Sequence, residues 1–155
     1  MPESYRVRVA KDDLVFSAAH FITYGGNRCE PLHGHNYRVA AEVFGPLDQN
    51  HYVVDFLVLH DVLKAIIDEL DHRVLLPTDH RSIQVTVDGA EVRATFEDRR
   101  WVFPRAECTL LPVANTTSEL LARHIGLRLL AGLEQSTGSR PPRIRIALDD
   151  CLGQT

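Results

Sequence analysis

Cysteine is scarce in this chain: three in 155 residues, at positions 29, 108 and 151, an odd number at irregular spacings. That pattern argues against a disulfide framework and points to a reducing compartment, so a cytoplasmic location is expected. Long apolar runs are missing too, and none approaches the roughly 20 residues that a membrane-spanning helix needs. The opening stretch MPESYRVRVA has no apolar core of the kind a signal peptide carries. Excess positive charge is absent as well; the formal net charge is −4, which leaves no general basic footprint for nucleic acid. There is no low-complexity tract. What remains is a chain that is 45% hydrophobic and 25% charged, the composition of a soluble globular protein. Its length fits a single domain over residues 1–155, large enough to bury its own core. One residue type is plentiful: histidine occurs eight times.

Hydrophobic periodicity outlines the elements. Residues 5–21 read as two strand halves around Lys11-Asp12-Asp13, with Leu14, Phe16, Ala18 and His20 alternating onto one face. The glycines of 22–28 mark a loop, and 35–45 is strand-like again. On that strand the period of two places His33 and His35 with Tyr37, Val39, Ala41 and Val43. Leu59, Val62, Leu63, Ile66, Ile67 and Leu70 form one helical stripe, with Asp55 placed to cap it and residues 70–72 closing it. Asp88-Gly89 centres a hairpin over 82–98, and 99–104 offers a third short strand. Thr116-x-x-Glu119 has the form of a capping box opening a second helix, which fades between Gly132 and Gly138. A last strand occupies 142–148. The expected fold class is α+β, a mostly antiparallel sheet with two helices on one face. Its open face and two edges would be covered by association into a ring.

The histidines carry the chemistry. His33-x-His35 puts two imidazoles on one strand face, and His20 ends another strand on its apolar face. Three nitrogens with an open fourth position suit a catalytic zinc, which polarises a carbonyl or acidifies a bound hydroxyl. On spacing alone, packed or surface histidines remain the alternative. His51, His60, His80 and His124 fall in turns or on helix surfaces and need no such role. A double-stranded β-barrel of the cupin type, which also uses His-x-His, requires a nearby carboxylate on the same face. Glu42, seven residues past His35, falls at an odd offset on the opposite face.

Cys29 precedes this pair in a glycine-rich loop, where a neighbouring cation and imidazole would favour thiolate, the reactive form. Asp71-His72 supplies a base beside a carboxylate, able to exchange a proton with that thiol. The alternative is that the two residues simply end a helix, where histidine suits the negative end of the dipole.

Taken together, FSAAH (16–20), C-x-x-x-HGHNY (29–37), VVDF (53–56), LDH (70–72) and NTTSE (115–119) resemble the 6-pyruvoyltetrahydropterin synthase family in order and spacing, from residue 5 to about 125. The three-residue gap between Cys29 and His33 is most similar to the bacterial branch, 6-carboxytetrahydropterin synthase, which serves the route to queuosine and other 7-deazaguanines. The resemblance implies a tunnel fold whose trimers close a β-barrel and stack into a homohexamer. It implies Zn2+ held by His20, His33 and His35, and proton transfer by Cys29, Asp71 and His72, the last two reaching the site from a neighbouring subunit. It further implies 7,8-dihydroneopterin triphosphate as the small-molecule substrate, with loss of triphosphate and, in the carboxy branch, of acetaldehyde. Thr117 and Glu119 would help bind the pterin. A glutamate usually clamps the pterin near the end of the last strand, a carboxylate accepting two parallel N–H bonds. Here the matching position lies near Leu148, so Asp149 or Asp150 would serve. Residues 79–112 hold a longer hairpin than compact bacterial members need, and the usual tail beyond the last strand is missing. Glu30 beside Cys29 is read as a loop carboxylate, although some family members use a glutamate there to cleave the side chain of dihydroneopterin. A pyruvoyl-forming synthase, an aldolase and a non-catalytic pterin-binding protein are the alternatives.

Overall fold

The computed structural model describes residues 3–155. Its strands are β1 (Tyr5–Val9), β2 (Val15–His20), β3 (Thr23–Tyr24), β4 (Arg28–Cys29), β5 (His33–Gly45), β6 (Arg73–Pro77), β7 (Gln84–Asp88), β8 (Glu91–Phe96), β9 (Arg99–Pro104), β10 (Cys108–Leu111) and β11 (Arg143–Asp149). The helices are α1 (Phe56–Asp68) and α2 (Ser118–Thr137).

β5 is the spine. One of its edges carries β2 along the first half and β1 along the second, while β11 runs antiparallel along the other edge. The alternation expected from the sequence holds: Tyr37, Val39, Ala41 and Val43 are buried on one face, with Leu14, Phe16 and Ala18 beside them. Both helices cover this face. Leu59, Leu63, Ile66 and Ile67 of α1 meet Leu121, Ile125, Leu129 and Leu133 of α2 over it. Asp55 caps α1, its Oδ1 accepting from the amides of Leu57 at 2.8 Å and Val58 at 3.4 Å. The helices sit close because Gly132 has no side chain; a Cβ there would lie 2.5 Å from Val62 Cγ1. Glu42 lies on the opposite face, among Arg6, Arg8 and Arg145.

The sheet differs from the expected antiparallel one. It has six strands and is mixed, because β6 pairs parallel to β2 and β10 pairs parallel to β6. Neither β6 nor β10 stands out by alternation. Leu75 and Leu76 of β6 are both buried, as suits a strand covered on two faces, so its run reads as continuous apolar sequence. The capping residue of α2 also shifts by one position. Thr117 Oγ1 accepts from Leu120 N at 3.3 Å, whereas Thr116 is fully buried and points its hydroxyl at the Phe21 carbonyl.

The hairpin around Asp88-Gly89 forms as expected, and β9 completes a separate three-stranded sheet. This sheet builds a second core, in which Val92, Ala94 and Phe96 pack with Phe21, Leu76 and Ile83. Trp101 stacks on Phe21 with ring centroids 4.2 Å apart. The second core therefore abuts the end of β2, one residue beyond His20.

Candidate metal centre and active site

The register of β2 against β5 pairs His20 directly with His33 and leaves His35 two residues along, opposite Ala18. All three side chains lie on the core-facing side of the sheet. Ring centroids of His20 are 4.8 Å from His33 and 5.2 Å from His35. One nitrogen from each of the three lies within 4.8 Å of the others.

Hydrogen bonds decide which nitrogen each ring presents. His20 Nδ1–H donates to the Thr116 carbonyl at 2.9 Å, and His33 Nδ1–H donates to the Pro31 carbonyl at 2.9 Å. Both rings then carry a lone pair on Nε2. His33 Nε2 and His35 Nε2 stand 3.0 Å apart. Two lone pairs at that distance repel unless a proton or a cation lies between them. A tetrahedral zinc with Zn–N near 2.0–2.1 Å sets its nitrogens roughly 3.3 Å apart, a spacing within the span of this trio. Backbone carbonyls fixing the second nitrogen are the usual support of metal-ligating imidazoles. The donor set fits zinc. His20 also has the protonation state a ligand needs: burial, with repulsion from the two other histidines, lowers it from 6.5 to about 4 despite the opposing bond to Thr116.

Cys29 ends β4, partly buried, with its thiol 3.6 Å from the Glu30 carbonyl. Burial pushes this thiol above its ordinary range; Arg99 works against that and the charge of Glu30 adds to it. Glu30, read from the sequence as a bystander, is built into the centre. Its Oε1 accepts from Ile22 N at 3.0 Å and lies 3.9 Å from His33 Nε2. The sequence signals for this were its place beside Cys29, where some family members use a glutamate, and its position three residues before His33.

Asp71 and His72 form a pair as adjacency suggested, with His72 Nδ1 2.9 Å from Asp71 Oδ1. Helix α1 stops at Asp68, and residues 70–72 form the turn that closes it, with Asp71 N donating to the Ile67 carbonyl at 3.1 Å; beyond that expected role, both residues dock on β2. Asp71 Oδ1 accepts from Ser17 N at 2.9 Å, and His72 N donates to the Ser17 carbonyl at 2.6 Å. Burial alone would raise the Asp71 carboxyl, but the Ser17 amide and His72 outweigh it and hold the group below its usual range. His72 adopts a positive φ of 58°, and its side chain is 82% exposed. It opens onto a cleft of about 470 Å³ that His35, Gly34 and Asn36 also line. Among the described residues no hydrogen bond joins His72 to Cys29, so one chain does not assemble the expected proton-transfer set.

The residues expected to bind substrate lie at the far end of β11. Glu119 sits in the first turn of α2 and shares a cleft with Leu148 and Thr155. Thr117 spends its hydroxyl on the helix cap. Asp149 Oδ1 accepts from Cys151 N at 2.8 Å, and Asp150 Oδ1 from Leu152 N at 2.9 Å. Each aspartate thus has one oxygen committed to the chain's own turn.

Comparison with known proteins places this geometry. Residues 9–147 match the family model described as 6-pyruvoyl tetrahydropterin synthase. A Methanocaldococcus jannaschii protein provisionally named 6-carboxy-5,6,7,8-tetrahydropterin synthase is 30% identical over 142 residues, 91% of this chain and 86% of that one. The 6-carboxy-5,6,7,8-tetrahydropterin synthase of Haemophilus influenzae is 29% identical over 109 residues, 60% of this chain and 77% of the relative. Among solved structures, the 6-pyruvoyl tetrahydropterin synthase of Plasmodium falciparum superposes with a TM-score of 0.85 at 29% identity, covering 95% of this chain and 91% of that one. The fold and site therefore define a pterin-synthase class of α+β protein. This chain belongs to the 6-pyruvoyl tetrahydropterin synthase family.

Proposed function

We propose that the protein is a zinc-dependent lyase that converts 7,8-dihydroneopterin triphosphate to 6-carboxytetrahydropterin, on the route to 7-deazaguanines such as queuosine. The observation that carries this reading is the three-histidine cluster, two of whose rings are locked by carbonyls so that Nε2 faces the third. The relatives named 6-carboxy-5,6,7,8-tetrahydropterin synthase support the carboxy product. When bound by His20, His33 and His35, zinc would supply Lewis acidity toward the oxygens of the substrate side chain.

The chain's own groups do the rest. Cys29 removes and returns protons on the side-chain carbons, and His72 relays them, with Asp71 holding its ring by the Nδ1 contact. His72 is exposed and tied to β2 through Ser17, which supports its acting in a site completed by a second copy of the chain. A homohexamer of two barrel-forming trimers, working as single 155-residue domains in the cytoplasm, is the assembly we infer. Thr117 and Glu119 bind the pterin, and Asp149 takes the clamping role through its uncommitted oxygen.

One observation favours a second reading. Glu30 stands 3.9 Å from His33 Nε2, while burial disfavours the thiolate of Cys29. A carboxylate base there would suit cleavage of the side chain between its first and second carbons, leaving a hydroxymethylpterin and releasing a two-carbon aldehyde that keeps the triphosphate. Incubation of the metal-analysed protein with 7,8-dihydroneopterin triphosphate separates the readings. Acetaldehyde with a carboxypterin supports the synthase, a hydroxymethylpterin with the triphosphate left on a two-carbon aldehyde supports cleavage from Glu30, and a retained three-carbon side chain indicates a pyruvoyl-forming enzyme. Binding with neither cleavage nor release of triphosphate would leave a pterin-binding protein.

A further inference from the structure

The sheet of β7, β8 and β9 packs against the centre, and Arg99 makes the most directed of its contacts. Arg99, the first residue of β9, directs its guanidinium at the turn between β4 and β5. Nη1 donates to the Cys29 carbonyl at 2.8 Å and Nη2 to the Glu30 carbonyl at 3.1 Å. The guanidinium itself is held, lying over the Trp101 ring at 4.8 Å from its centroid. Trp101 in turn stacks on Phe21, next to His20. Two lesser contacts reach the same loop: Asn27 donates to Glu97 at 3.0 Å, and Arg81 to the Gly26 carbonyl at 3.5 Å.

A planar fork that grips two successive carbonyls fixes the direction of both peptides, and hence of both side chains that follow from them. Ile22 also holds this turn, its carbonyl accepting from Glu30 N at 2.9 Å and its amide donating to Glu30 Oε1 at 3.0 Å, but among the described residues only the Arg99 fork grips both carbonyls. We propose that Arg99 is a positioning residue, and that the three-stranded sheet serves to hold it, setting Cys29 and Glu30 relative to the histidine cluster. Its role rests on Cys29 or Glu30 acting in the reaction proposed above.

The test uses the full-length, metal-loaded protein and the variants Arg99→Met and Arg99→Lys. Four quantities are read: kcat, KM, bound zinc, and the rate at which iodoacetamide labels Cys29, followed by peptide mass spectrometry so that Cys108 and Cys151 do not interfere. Lysine keeps the charge and loses the fork. Both variants should keep zinc and lose kcat by about 10- to 100-fold, with KM shifting much less, as expected when a reacting group is misplaced. Cys29 labelling should accelerate severalfold in both. The proposal is overturned if Arg99→Met leaves kcat and labelling at parental values, or if Arg99→Lys restores both, since charge alone would then suffice. Loss of zinc with a lowered Tm would also overturn it, by showing a fold-wide role. If the parent protein has no turnover, the functional reading fails, yet the labelling rates still decide whether Arg99 sets the loop.

Discussion

The ring of His20 is anchored through space to the N-terminal end of α2: its Nδ1–H donates to the Thr116 carbonyl at 2.9 Å, across 96 positions of sequence. The helix thereby fixes which nitrogen of a strand residue is left free to act as a ligand. Because the acceptor is backbone, no side-chain change at Thr116 removes it directly. The geometry dictates that His20 contributes Nε2.

His20→Gln and His33→Ala should each weaken zinc binding by more than about 100-fold, beyond the range typical of outer-shell changes. Metal analysis after dialysis against a mild chelator measures this, with His51→Gln as a control that keeps its zinc. A full complement of zinc in either of the first two variants would remove that residue from the ligand set.

Cys29→Ala should keep its zinc and lose turnover by at least about 100-fold, the usual scale for removing a proton-transfer group. Glu30→Gln is its companion. If the cysteine variant turns over normally and the glutamate variant does not, cleavage from Glu30 is the reaction at this site.

Acid should destabilise the metal-free protein through His20. In the folded chain this ring protonates near 4, and in the unfolded chain near 6.5. Between those values the unfolded state binds more protons, so stability falls as pH is lowered. The contribution is complete above pH 6.5 and is lost towards pH 4, a gap worth about 3 kcal/mol. Burial lowers His80 and His124 in the same direction, so the comparison that isolates His20 is parent against His20→Gln. Urea unfolding across this range should show a shallower pH slope in the variant; equal slopes would refute the assignment.

Gly132→Ala should destabilise the protein even though alanine favours a helix over glycine by about 1 kcal/mol. The added methyl would meet Val62 Cγ1 at 2.5 Å, and overpacking of this kind costs roughly 1–3 kcal/mol. A lowered Tm is expected, with recovery in Gly132→Ala/Val62→Ala. A raised Tm in the single variant would show that α1 and α2 part without cost.

The sequence made visible those parts whose signals are local. Strand alternation placed His20, His33 and His35 on one face, Asp88-Gly89 announced its hairpin, and Asp55 announced the start of α1. β6 stayed hidden because a parallel strand inside a sheet carries no alternation, β10 because it is an edge strand of four residues, and both because their partners lie far along the chain. That same omission left Asp71-His72 visible as the end of a helix but not as the entry to a strand. The capping shift from Thr116 to Thr117 has a tertiary cause: Thr116 is drawn into the interior, facing Phe21. Arg99 gave no sequence signal at all, since its partners are carbonyls and any residue supplies those.

The three imidazoles sit on a single antiparallel strand pair, β2 with β5, while the carbonyl that orients His20 arrives from the start of α2. During synthesis the first part exists well before the second. If the proposed metal binds, a nascent chain could gather the three histidines early, with the ring of His20 unanchored until residue 116 is in place. Capture and final affinity would then be separate events. A metal acquired early would be exchangeable, and would become tightly held only when α2 closes over the strands.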